Sequence, residues 1–149
     1  MEKNDAAEIF DDIVETVRAV RANRGIQIFR GGMEKLNFAQ IAALYFLNDT
    51  DGLTMGTLSK LAGVKMPSMT DTIAVLVAKG YAERKSTKND RRKVIMIISG
   101  KGRRLVEDNK KTGIEYINKY LSNLGIVERR LATTIVKRTK EIITKRFKS

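Results

Sequence analysis

The stretch MGTLSKLAGVKMPSMTDTIAVLVAKG, residues 55–80, limits the fold more than any other part of the chain. MGTLSKLAG makes a helix of about two turns, which Gly63 ends at a position suited to a left-handed cap. After the short connection VKM, Pro67 suits the first residue of a second helix, where its fixed φ and missing N–H cost nothing. Met69, Ile73, Leu76 and Val77 share one face of that helix, and Gly80 ends it. Two helices joined by three or four residues around a glycine form a helix-turn-helix.

The flanking segments supply the elements that such a pair needs around it. Upstream, Ile9, Ile13, Val17 and Val20 recur at helical spacing from Ala6 to about Phe29, and Gly31-Gly32 stops the pattern. Asn37 then caps a helix over about Phe38–Asn48, with Gln40 reaching back to it in a capping box. Downstream, YAERKS and KVIMIIS read as two strands joined by TKNDRR, a hairpin that forms a wing. Ser99 caps a further helix that carries Leu105, Val106, Ile114, Ile117 and Leu121 to about Asn123. A last helix after Gly125 carries Val127, Leu131, Ile135 and Ile142. The expected fold class is mainly α with a small β-wing.

Composition decides what such a fold can be used for. At 149 residues the chain suits one domain, and 42% hydrophobic with 31% charged residues is globular rather than disordered. The longest apolar run, IAALYFL, is far short of a membrane span, so no membrane partner is expected. The acidic, helical start MEKNDAAEIFDDIVE lacks the basic and small-residue features of a secretory signal, which places the chain in the cytoplasm. There is no Cys and no His, which removes disulfides, thiolate switches, zinc fingers and imidazole acid-base chemistry. The acidic residues lie scattered among basic ones on solvated helix faces, so no catalytic residue, metal ligand or cofactor is assigned, and the chain is not expected to be an enzyme.

The net charge is +12, and its distribution is uneven. Residues 81–111 hold eleven Lys and Arg against four Asp and Glu, and residues 112–149 hold nine against three, whereas residues 1–80 are nearly balanced. In the C-terminal third, solubility explains the excess as well as a phosphate-facing role does. The clustering at residues 84–93 favours nucleic acid over solubility as the reason for the charge there.

The order of four helices, a two-stranded wing and two more helices resembles the MarR family of winged-helix transcription regulators. Leu36 to Gln40, Leu53-Thr54 through Leu58, and Gly63-Val64 are similar to the opening helices of that family's DNA-binding lobe. Met69-Thr70, Ile73, Leu76 and Gly80 match its recognition-helix frame. Tyr81 to Arg84 match the strand that follows, Asp90-Arg91-Arg92 its D-x-R wing signature, and Ile98-Ser99 with Gly102 the next helix start. The resemblance implies one domain over residues 1–149, with a DNA-binding lobe at 36–98 and a helical dimerisation lobe formed by 1–35 and 99–149. It also implies a homodimer that places the fourth helix in the major groove of double-stranded DNA and the wing in the flanking minor groove.

Ser68, Thr70, Asp71 and Thr72 become the DNA-facing residues of the recognition helix, with Ser68 and Asp71 outward and the two threonines on the flanks. Ser and Thr bond to phosphates or base edges, and a carboxylate accepts only from a donor such as cytosine N4. Relatives often carry Arg where this chain has Asp71, and an ion pair with a neighbouring Lys or Arg is the favoured reading of that carboxylate. In the wing, Lys85, Lys88, Asp90, Arg91, Arg92 and Lys93 are the DNA-binding candidates, with Arg92 entering the minor groove and Asp90 both forming the turn and aiming the arginine. Ile9, Ile13, Val17, Leu131, Ile135 and Ile142 are the dimer-interface candidates, because two long terminal helices lack enough local surface to cover their stripes.

Tyr116 and Tyr120 either line a cavity or pack with their hydroxyls in water. The family implies release from DNA by a small aromatic or anionic effector, and the sequence does not identify one. Two other uses of the fold stay open: an architectural or RNA-binding winged helix, suggested by high charge beside an arginine-free recognition helix, and a protein-interaction module, for which Asp71 is the hint.

Overall fold

The computed structural model describes residues 3–22, 32–86 and 94–146. The chain divides into two compact units, Met1–Lys110 and Lys111–Ser149. In the first, α1 spans Lys3–Ala22; the remainder of the helix expected to reach about Phe29 lies outside the described residues. A single 3-10 turn, Met33–Lys35, precedes α2, Phe38–Asn48. The sequence-predicted capping box is present: Gln40 N donates to Asn37 Oδ1 at 2.9 Å, and Asn37 N donates to Gln40 Oε1 at 3.1 Å.

Helix α3 covers Met55–Ala62, with Thr54 Oγ1 accepting from Thr57 N at its start and Gly63 in the left-handed conformation, φ 64°, at its end. Helix α4 covers Met66–Ala78. Pro67 is its second residue, not the first as the sequence suggested. Lys65 holds the cap position in extended conformation and gives no side-chain bond, so the first turn begins one residue earlier. The missing N–H of proline is equally harmless there, because the first four N–H groups have no partner within a helix.

The sheet is the expected hairpin. Strand β1, Ala82–Ser86, pairs antiparallel with β2, Val94–Ile98, in a register that sets Ala82 opposite Ile98 and Ser86 opposite Val94. A further pairing was not anticipated: Leu53 exchanges both backbone hydrogen bonds with Met96, at 2.9 and 2.8 Å, on the other edge of β2. This ties the start of α3 to the base of the wing.

The core of this unit lies where α2, α3, α4 and β2 meet. Leu44 and Leu47, Leu58, Met69, Ile73, Leu76 and Met96 are fully buried there, together with Met33. Each such side chain contributes about 1.5 to 3 kcal/mol relative to remaining in water. Helix α5, Gly100–Leu121, adds Leu105 and Val106 through its first turns. By contrast α1 keeps Ile9, Phe10, Ile13 and Val17 about half or more exposed.

The second unit contains the end of α5, a short turn and α6, Ile126–Arg146. The turn is held locally. Gly125 N donates to Glu128 Oε2 at 2.6 Å, and the Arg129 guanidinium donates to the Leu124 and Ser122 carbonyls at 2.9 and 3.2 Å.

At Gly102 two effects oppose each other. Helix propensity alone favours alanine there by about 1 kcal/mol. A Cβ at that position, however, would stand 2.1 Å from the Tyr81 carbonyl oxygen, a backbone atom that cannot swing aside. Gly102→Ala should therefore destabilise the protein by about 2 to 4 kcal/mol, by analogy with other overpacked sites. Urea denaturation decides the sign, and a stabilised variant would mean that α5 does not approach Tyr81 so closely.

Candidate nucleic-acid interface

A helix-turn-helix works only if the second helix shows a face that its own core does not need. The axes of α3 and α4 turn through 105° at their junction. Gly63 makes that turn possible: its positive φ lets Val64 N reach back to the Ser59 carbonyl at 3.0 Å while Gly63 N bonds Lys60 O at 3.2 Å, closing α3 within two residues. Helix α4 then buries Met69, Ile73 and Leu76 and turns Ser68, Thr70 and Asp71 to solvent. Its first turn has no side-chain cap, so backbone N–H groups at that end remain free for an external acceptor.

The four recognition-helix candidates divide. Ser68, Thr70 and Asp71 are exposed. Thr72 is only 7% exposed and does not belong with them. It lies three residues after Met69 and four before Leu76, inside the arc that packs on the core, and its polar type misled the sequence reading. Thr70 is a qualified candidate, because its hydroxyl donates to the Met66 carbonyl at 3.0 Å and offers the outside its lone pairs. Asp71 has no basic partner among the described residues, so the ion pair expected for it is not formed with them.

Of the wing candidates, Lys85 is described, exposed on β1 opposite Ile95, with Arg84 exposed beside it. Lys88, Asp90, Arg91, Arg92 and Lys93 lie outside the described residues, as does the pairing of Asp90 with Arg92. The dimer-interface candidates are all uncovered: Ile9, Ile13, Val17, Leu131, Ile135 and Ile142 are 49 to 65% exposed. Further apolar residues that the sequence reading passed over, Phe10, Val136 and Ile143, are equally bare. Tyr116 and Tyr120 face each other on α5, ring centroids 4.7 Å apart and hydroxyls at 2.6 Å. Partial burial and the Tyr120 hydroxyl push the Tyr116 phenol up to about 12.

Sequence reasoning also missed Lys101. Its ammonium donates to the Lys79 carbonyl, the position that closes α4, at 2.9 Å and lies 4.9 Å from the centroid of the Tyr81 ring. No local pattern marks a contact across 22 residues.

A helix-turn-helix with an exposed polar second helix and a hairpin directly after it is the architecture of a winged-helix DNA-binding protein. The family model described as MarR family matches residues 35–93. A helix-turn-helix transcriptional regulator of Mycobacterium leprae is 30% identical over 97 residues, spanning 65% of this chain and 68% of that one. Another, from Mycobacterium tuberculosis, is 29% identical over 114 residues, spanning 76% and 79%. Among solved structures, a MarR family protein from Bacillus stearothermophilus shares the fold with a TM-score of 0.77 at 19% identity, covering 97% of this chain and 99% of that one. A second, from Mycobacterium tuberculosis, has the same TM-score at 20% identity, covering 95% and 94%. The chain belongs to the MarR family of winged-helix, DNA-binding transcription regulators.

The division of the α4 candidates is directly testable. Thr72→Val should leave DNA affinity within about twofold of the parent, whereas Ser68→Ala and Thr70→Val should each weaken it severalfold, the order expected for one exposed hydrogen bond. Titration against a selected duplex measures this, and a Thr72→Val loss as large as the others would return Thr72 to the interface.

Proposed function

We propose that the chain is a homodimeric, sequence-specific regulator of transcription that binds double-stranded DNA, represses by blocking promoter access, and is released by a small aromatic or anionic effector in the cytoplasm. One observation carries the DNA-reading part: α4 turns an exposed face of Ser68, Thr70 and Asp71 outward while its opposite face is locked in the core. A helix of that width fits the major groove, where base edges carry a distinguishable donor and acceptor pattern. With no Arg or Lys within α4, affinity for phosphate must come from elsewhere, and the segment 84–93 is the densest run of Lys and Arg in the chain.

The dimer is supported by bare apolar surface. Stripes on α1 and α6 expose large aliphatic side chains in numbers that a solitary chain does not leave in water. A symmetric pairing covers both copies at once. Family membership supports repression and release, and operator binding with and without candidate effectors tests them.

The deciding experiment selects duplexes from a randomised library and challenges the complex with excess random duplex and with RNA. A specific regulator keeps its selected site against both. Loss to RNA favours the RNA-binding use of the fold, and weak duplex binding even at low salt favours a protein-interaction module. Log affinity should fall steeply with log salt, by about 0.9 for each phosphate neutralised. A slope equal to a single contact would remove the basic wing from the interface.

Three variants separate the roles of the outer parts. Replacing Leu131 and Ile135 by Asp should bury uncompensated charge and abolish the dimer. Sedimentation reads the result, and an unchanged dimer refutes the interface. Arg92→Ala should cost about 1 to 3 kcal/mol per half-site and relax preference at the flanking base pairs, while Lys88→Ala should weaken all sequences alike.

A further inference from the structure

Three consecutive carbonyls at the end of α4 are each met by a donor from one three-residue segment. Lys79 O accepts from Lys101 Nζ at 2.9 Å, Gly80 O from Ser99 Oγ at 2.6 Å, and Tyr81 O from Ser99 N at 3.0 Å. Ser99 Oγ also accepts the Gly102 N–H at 2.9 Å, so one hydroxyl both closes the α4 end and opens α5. Gly102 completes the junction, since its lack of a side chain lets α5 start against the Tyr81 carbonyl.

These donors do different things. Both Ser99 bonds go to residues beyond the last turn of α4, whereas Lys101 alone bonds the carbonyl at its closing position. An ammonium there also opposes the negative end of the helix dipole. The Tyr81 ring attracts the same charge from 4.9 Å, so the ammonium is committed to groups within its own chain.

We propose that Lys101 is a positioning residue for DNA reading. Held between the Lys79 carbonyl and the Tyr81 ring, its ammonium fixes the C-terminal end of α4, and with it the rotation at which Ser68, Thr70 and Asp71 meet base edges. This rests on α4 being the DNA-reading helix. Lys101 is exposed, so the effect is a matter of fold-changes rather than orders of magnitude.

The test compares Lys101→Met, which keeps the stem but loses the donor and charge, with Lys101→Arg, which keeps both. Full-length protein is titrated at several salt concentrations against a duplex that the parent selects from a randomised library, and against copies altered at the base pairs under α4. Lys101→Met should reduce discrimination between selected and altered duplexes by about threefold to tenfold, the equivalent of one ordinary hydrogen bond, because solvent screens the charge of an exposed ammonium. The salt slope should stay at the parent value, and Lys101→Arg should restore the discrimination. Amide exchange in the protein without DNA should quicken at Lys79 and Gly80 in Lys101→Met alone. A slope lowered by about 0.9 per half-site would make Lys101 a phosphate contact and overturn the proposal, as would unchanged discrimination. A parent protein that selects no duplex would instead defeat the DNA reading of α4, and the exchange rates would still report separately whether the Lys101 clamp holds the helix end.

Discussion

Burial of the inner face of α4 is the constraint from which the rest of the DNA-binding unit follows. Met69, Ile73 and Leu76 have no exposed surface, and each would cost several kcal/mol if truncated to alanine. Close packing of that face sets which side of the helix turns inward and leaves only fine adjustment to the contacts at its C-terminal end. Which residues face outward is therefore decided by which residues face inward. Ser68, Thr70 and Asp71 face outward because their neighbours in sequence are needed by the core.

Much of this is legible in the amino-acid sequence. The capping box at Asn37 and Gln40 and the left-handed Gly63 are local devices, set by bonds between residues three or four apart, and local sequence encodes them fully. Thr72 was misplaced although its spacing from Met69 and Leu76 is that of a core position, because a hydroxyl is weak evidence for exposure when the residues three before and four after it lie in the core. Contacts spanning many residues were not legible at all. The pairing of Leu53 with Met96 and the reach of Lys101 to Lys79 exist only once distant segments have been brought together by the core.

The two ends of the chain pose the opposite physical problem. Helices α1 and α6 are well-formed amphipathic helices whose apolar sides remain in water in the single chain. Short helices gain most of their stability from packing such a side, not from intrinsic propensity. A partner copy would supply that packing, and folding of these helices would then be linked to protein concentration.

The strand pairing at Leu53 bears on a hazard that any protruding hairpin carries. An open strand edge is a row of unpaired backbone groups on which another chain can nucleate a sheet. On β2, the most apolar strand, β1 occupies one side and Leu53 bridges the other at Met96. The outer edge of β1 carries Glu83, Arg84 and Lys85, which are all charged and exposed. Charge on an outer strand discourages edge-to-edge stacking, so Glu83, Arg84 and Lys85 disfavour a sheet built between copies along β1.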